Sequence, residues 1–377
     1  MAYSGLRATL VVTLLIAFVG RALAAPAGGD VAFMKAASAA VDTIAREDGF
    51  SGVILVARGD QVLLRKAAGF ADYQRNIRNT PETPFPLLSV TKQFTAAAIM
   101  LLVQDGKVSL DDPISKFYPS SPPTWKDVTI RHLLTHGSGI QDYWINRPES
   151  RVRFYPSYED YFRIVEGDPL GFAPGTSISY SNAGYALLTA VIERASGQPY
   201  AEFVQTRILA PLGMRSTGYG PIPGDAMRGY QGPWHNWLNW VTPDYTPTGG
   251  AGAMYSTLDD MLIWSRVLTG DRILSDESRS AMFADYGHNY GFGWRVQDKF
   301  GRRLIWHTGS GGPTGGFGSI YDRFPEEELT VIAMTNNSGL IDFQATLVVD
   351  GKPLTFPANA ARKLVEEVER LYFGRAP

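Results

Sequence analysis

Pro84-Phe85-Pro86-Leu87-Leu88-Ser89-Val90-Thr91-Lys92 leads into the most strongly helical run of the chain, Val90 to Gln104. That run is apolar on nearly every side, with Phe94, Ala96, Ala97, Ala98, Ile99, Met100, Leu101, Leu102 and Val103. A helix that is hydrophobic all round belongs inside a core. Gly106 supplies the stop, because glycine readily adopts the left-handed conformation that ends helices. Pro84 and Pro86 hold the chain extended before the helix begins. Ser89 therefore falls at the first turn, and Lys92 follows three residues later on the same face. Lys92 is the only charge between Thr91 and Gln104. Burial disfavours an ammonium, so such a lysine can lose its proton and take one from a neighbouring hydroxyl. A serine at a helix start is also an ordinary helix cap. The choice between the two readings rests on what lies elsewhere in the chain.

Upstream, Arg7 precedes an apolar run from Ala8 to Gly20, followed by Ala22-Leu23-Ala24. This pattern is that of a secretory signal peptide over residues 1–24, too short to span a bilayer comfortably, leaving 25–377 as the exported chain. Loss of Arg7 and Arg21 moves the formal charge from −2 to about −4. No basic cluster points to nucleic acid, and no later stretch is long and apolar enough to be a membrane span. With no cysteine, the chain has no disulfide, no thiolate metal site and no thiol nucleophile. It must be held together by its core.

Val31 to Asp48 reads as a helix. Ser51–Arg58 and Gln61–Ala67, with Gly59-Asp60 between them, read as a β-hairpin. After Gly106 the chain turns to short helices and proline-rich loops. Thr129 to Ile140 contains a short helix ending at glycine, with His132 and His136 four apart. No glutamate is placed as in zinc-protease patterns, so no metal is expected, and His136 is expected to cap helix carbonyls. Tyr180-Ser181-Asn182 is followed at once by a helix from Ala183 to Ser196, which Ser181 and Asn182 are suited to cap. A capped start also holds short polar side chains in one place. The loop Gly218 to Gly250 carries Tyr230, Trp234, Trp237, Trp240 and Tyr245 among glycines and prolines, a composition that fits the wall of a cleft as well as a self-packed surface loop. A helix is expected from Ser256 to Thr269. Strands are expected over Arg302–Trp306, Gly316–Tyr321 and Glu328–Thr335, with a closing helix over Pro357–Leu371. His307-Thr308-Gly309 stands at the end of the first of these strands, before the glycine-rich run Ser310 to Gly316.

Ser89-Val90-Thr91-Lys92, Tyr180-Ser181-Asn182 and His307-Thr308-Gly309, in that order, resemble the signature of the penicillin-recognising serine hydrolases. The Tyr-x-Asn form is closest to class C β-lactamases, serine D-alanyl-D-alanine peptidases and related esterases. Ile130 to Gly139 and Gly250 to Met254 resemble the same group. The resemblance covers roughly Asp48 to Gly374. It implies an α+β fold: an antiparallel β-sheet flanked by helices, from about 30–86 and 290–377, joined to a mainly helical part from about 87–289. It further implies an acyl-enzyme on Ser89, with Lys92 as base or partner of the base and Tyr180 as proton shuttle. Asn182, His307, Thr308 and Gly309 would bind substrate, and the backbone N–H groups of Ser89 and Ser310 would form the oxyanion hole. No cofactor is implied. The substrate would be a small molecule or peptide: a D-amino-acid peptide, an ester or a β-lactam. Two alternatives stay open, a class C-like β-lactamase and a non-catalytic protein that binds muropeptides or β-lactams. An α/β-hydrolase is disfavoured because no serine sits in Gly-x-Ser-x-Gly.

His307 departs from the lysine usual in β-lactamases. An unperturbed histidine titrates near 6.5, so His307 would hold an anionic substrate in a pH-dependent way. The other reading of this residue is a neutral ring hydrogen-bonded to Tyr180.

Overall fold

The computed structural model describes residues 28–143, 156–224, 227–231, 239–241, 244–270, 272–311, 316–337, 347–349, 352–354 and 359–374. The expected signal peptide, and Trp234 and Trp237 of the aromatic loop, lie outside the described residues.

The chain starts with helix α1 (Gly28–Glu47) and the hairpin β1 (Gly52–Arg58) and β2 (Gln61–Ala68). Helix α2 (Thr91–Gln104) carries the lysine, and helix α3 (Asn182–Ser196) packs on it. Helix α4 (Leu258–Val267) follows, then strands β3 (Arg295–Lys299), β4 (Arg302–Ser310), β5 (Gly318–Phe324) and β6 (Leu329–Thr335), and finally helix α5 (Ala360–Phe373). The six strands form one sheet in the order β3-β4-β5-β6-β1-β2, with every neighbouring pair antiparallel. The N- and C-terminal portions therefore share a sheet, and the chain between them builds the helices in front of it.

Side chains alternate across a strand, and the two faces separate accordingly. Ile54, Val56, Ile320, Val331 and Ala333 face α1 and α5 in one core. Val53, Leu55, Ala57, Tyr321, Ile332 and Met334 face the other way and join the core around α2, α3 and α4. Helix α2 is buried on all sides down to Leu102, as its composition requires. Phe94 stacks on Trp264 of α4 with centroids 4.3 Å apart, which fixes α2 against the layer above the sheet. Burying a side chain of this kind stabilises by roughly 1.5–3 kcal/mol.

Two elements that bear on the site differ from the sequence reading. Strand β4 runs on to Ser310, so His307-Thr308-Gly309 lies inside the strand and not at its end. Its ladder continues through Gly309↔Ser319 and Ser310↔Gly318. Strand β3 was not expected, since Arg295-Val-Gln-Asp-Lys299 is too polar to stand out. It is the sheet's edge, where charged residues blunt the open backbone.

Candidate active site

Ser89 is not a cap of α2. It sits in a single 3-10 turn, Leu88–Val90, that precedes the helix, and Val90 holds the cap position without a side-chain hydrogen bond. Leu88, immediately before the serine, has φ +53°, a left-handed conformation that costs a non-glycine residue roughly 1–3 kcal/mol. Its neighbours pin it there. Leu87 N donates to Met254 O at 2.8 Å, and Ser319 Oγ donates to Leu87 O at 2.6 Å. Gly309 completes the contact: a Cβ on it would lie 2.3 Å from Leu87 O and 2.7 Å from Leu88 Cβ. Only glycine lets β4 come this close, and the approach brings Ser310, the next residue, to the Ser89 turn.

Lys92 is fully buried. Its Nζ lies 2.8 Å from Asn182 Oδ1, 2.7 Å from Ala251 O and 3.1 Å from Ser89 Oγ. Burial, aided by the field of Arg295 and opposed by Asp142, lowers its pKa to about 7. A neutral amine has two N–H donors. Asn182 and Ala251 take both, which turns the lone pair towards the serine hydroxyl.

Tyr180 precedes α3, whose start is capped by Ser181 Oγ accepting from Gly184 N at 3.2 Å. The Tyr180 ring lies with its centroid 4.9 Å from Lys92 Nζ, and its hydroxyl lies near enough to Ser89 to feel that side chain. Burial, together with nearby Tyr290, pushes its phenol well above the ordinary value. At neutral pH Tyr180 is therefore a proton donor and not a base. His136 sets its position. Ser181 N donates to His136 Nδ1 at 3.1 Å, and Ser179 N donates to His136 O at 3.0 Å, so the histidine holds both neighbours of Tyr180. The His136 ring packs 4.4 Å from Tyr180 and 4.5 Å from Tyr290, and burial keeps it neutral. The expected capping of helix carbonyls by this side chain is thus replaced by acceptance of a backbone N–H. His132 is used separately, its Nδ1 accepting from Thr129 N at 3.2 Å.

His307 is also corrected. It is 2% exposed, and burial with the nearby cations Arg295 and Lys92 pushes its pKa well below the usual value. Nδ1 lies 2.7 Å from Thr308 O, which can only accept, so Nδ1 carries the proton. Nε2 is then an acceptor, 3.0 Å from the Tyr290 hydroxyl. The ring is neutral, both nitrogens are engaged, and its partner is Tyr290 rather than Tyr180. It offers no charge to an anionic substrate. Thr308 pairs with Ile320, a residue of the back core, and so stands on the other face of β4 from His307.

Asp142 and Arg295 were not singled out in the sequence. Asp142 is 4% exposed and accepts from Asn182 Nδ2 at 3.1 Å, which turns Asn182 Oδ1 towards Lys92. It lies just beyond the family-like stretch that ends at Gly139, in a loop with no periodic signal. Arg295 opens the edge strand, with its guanidinium carbon 6.0 Å from the Tyr180 ring centre and 5.3 Å from that of Trp306. The two charges pull Lys92 in opposite directions. Asp142→Asn is expected to move the acidic limb of kcat/KM to lower pH, and Arg295→Gln to move it to higher pH. Parallel pH profiles check this; shifts of the same sign in both variants would refute the arrangement.

The chain matches the β-lactamase family over residues 37–347. A penicillin-binding protein of Bacillus subtilis is 28% identical over 89% of this chain and 80% of its own length. A D-aminopeptidase of Brucella anthropi is 31% identical over 77% of this chain, which spans only 57% of that relative's length. The solved D-amino acid amidase of Ochrobactrum anthropi SV3, in complex with L-phenylalanine amide, superposes with a TM-score of 0.75 at 25% identity, covering 91% of this chain and 99% of that one. A match of this extent, on a fold that brings serine, lysine and tyrosine together, places the chain in the β-lactamase family as a serine hydrolase.

Proposed function

We propose that the protein hydrolyses amides or peptides of D-amino acids through an acyl-enzyme on Ser89. The observation that carries this reading is the buried Lys92, with a pKa of about 7, held against Ser89 Oγ at 3.1 Å by Asn182 and Ala251. The similarity to a D-aminopeptidase and to a D-amino acid amidase supports the substrate class.

In this mechanism Ser89 Oγ attacks the carbonyl carbon and its proton passes to the Lys92 lone pair. The oxyanion forms beside the N–H groups of Ser89 and Ser310, a kind of contact whose loss typically costs about 10²–10³ in rate. Tyr180, a neutral phenol, donates its proton to the departing amine as the C–N bond breaks, and regains one from Lys92. Water then attacks the ester by the reverse route, releasing the acid and restoring Ser89. The neutral His307 favours substrates that do not rely on a cation at that position, and so favours amides and esters over β-lactams. The segment Arg7 to Ala24 supports export.

The test is a set of D- and L-amino acid p-nitroanilides, with nitrocefin alongside and intact-protein mass measured at short times. Turnover of D-substrates over L, with a transient adduct on Ser89, is the expected result. Turnover of nitrocefin alone would replace this reading with a β-lactamase. An adduct without turnover of any substrate would replace it with a binding protein.

A further inference from the structure

Two buried threonines of α2 and α3 take no part in the steps above. Thr95 lies three residues past Lys92 on α2, and Thr189 lies on α3, the helix that begins with Asn182; both are 0% exposed. A threonine inside a helix commonly bonds a carbonyl of its own preceding turn. Thr189 does donate to Tyr185 O, at 3.2 Å, yet its oxygen also accepts from Gly250 N at 2.7 Å. Thr95 Oγ1 donates to Gly250 O at 2.7 Å and lies 2.8 Å from the Tyr200 hydroxyl, which then donates to it. The helices that carry Lys92 and Asn182 thus hold Gly250 by its N–H and by its C=O.

Gly250 immediately precedes Ala251, whose carbonyl accepts from Lys92 Nζ at 2.7 Å. The peptide unit of that carbonyl is held from its other side as well, where Gly252 N donates to Gly249 O at 3.2 Å. Gly249 takes φ +56° and ψ −141°, a region open essentially to glycine. A Cβ on Gly249 would lie 2.8 Å from Thr189 Oγ1, and one on Gly250 would lie 2.6 Å from Thr95 Oγ1. The two missing side chains are what let hydroxyls from both helices reach this backbone. Nothing in the chain order of α2, α3 and the Gly249–Ala251 turn requires that contact, and it converges on the residue beside the one that Lys92 uses.

We propose that Thr95 and Thr189 are positioning residues for Lys92: by holding Gly250 on both sides they aim the Ala251 carbonyl at Nζ, and so turn the amine's lone pair towards Ser89. This rests on the reading of Lys92 as the base and adds what orients it. Without the clamp the carbonyl swings away, with two consequences. The ammonium form loses an acceptor, and a hydrogen bond to a charged donor is stronger than one to a neutral donor, so Lys92 becomes more acidic. The neutral amine, with one N–H released, no longer presents its lone pair in one direction. The other groups that face Lys92 stay in place: Asp142 through Asn182, Arg295 and His307 from the sheet, and the rings of Tyr180, Tyr185 and His136. Neither threonine hydroxyl bonds to any of these side chains.

The experiment records kcat/KM against pH with p-nitrophenyl acetate, whose leaving group needs no proton from Tyr180 and whose acyl group does not depend on the D-amino-acid preference. Thr189→Val and Thr95→Val, close to isosteric but without the hydroxyl, are each expected to lower the plateau on the order of tenfold. Each should also move the acidic limb down by about one pH unit, the scale of one hydrogen bond to a charged group. Thr189→Ser keeps the oxygen and should restore both values. Thr189→Cys, a weaker acceptor, should fall between serine and valine, so the series is readable even where valine folds poorly. Thr330→Val removes another buried hydroxyl pair, that with Ser265 at 2.7 Å, and should lower the melting temperature without moving the limb. A limb that stays in place in the cysteine and valine variants, whatever their melting temperatures, would reduce the threonines to core residues and overturn the proposal. A limb that moves to higher pH would report water entering a loosened core, and would overturn it too. A wild type with no limb near pH 7 would overturn the reading of Lys92 as the base, and the proposal with it.

Discussion

Ser89→Ala is expected to lower kcat/KM for esters and amides on the order of 10⁶-fold, the scale of nucleophile loss in serine hydrolases. It should do so without unfolding the protein. Ser89 is only half-buried, and its hydroxyl meets two groups with other support. Lys92 keeps Asn182 and Ala251, and Tyr180 stays held through His136. Such a substitution usually changes stability within about 0.5 kcal/mol. The strained Leu88 is pinned by Met254, Ser319 and Gly309 rather than by the serine. The turn should therefore survive, and substrate should still bind. Intact mass after exposure to an activated ester would show no adduct, with an unchanged melting curve. An adduct of undiminished yield in the variant would mean that another residue is the nucleophile.

The parts of this site that were legible in the sequence are those where one local signal sufficed. Lys92 stood out because it is a lone charge in an apolar helix, and the hairpin β1–β2 because β-branched runs flank Gly59-Asp60. The all-round burial of α2 followed from the same kind of pattern. What stayed hidden depends on contacts between distant segments. His307 was located by its motif, but its charge state is set by burial and by Arg295 and Lys92, and the Tyr290 hydroxyl that occupies its Nε2 reaches it from the loop before β3. Asp142 meets Asn182 only because the loop after the short helix Ile130–Leu134 folds over the start of α3. The left-handed Leu88 could not be expected, since leucine avoids that conformation and only the surrounding contacts impose it. The pattern is physical: residue type reports burial and period, whereas pKa and strain are properties of the assembled neighbours.

Lys92→Met carries the second large effect, a fall in kcat/KM of about 10²–10⁴-fold, the usual contribution of a positioned base. In the wild type, kcat/KM should rise with pH through about 7, where the free lysine becomes neutral, and that limb should vanish in the variant. Stability supplies an independent readout. An unfolded lysine titrates near 10.4, whereas Lys92 in the fold titrates at about 7. Between these values the unfolded chain binds the extra proton, so this group makes stability rise with pH. Below about 7 both states are protonated, and the cost of burying the ammonium is felt in full. Methionine removes the titration, and with it the rise. Thermal unfolding of both proteins between pH 6 and 10 should therefore show the wild type gaining on the variant as pH increases. Melting temperatures that run parallel across this range would mean that Lys92 keeps an ordinary pKa in the fold. Its role as the base for Ser89 would then have to pass to another group, and Tyr180, whose phenol is held still further from ionisation, could not take it.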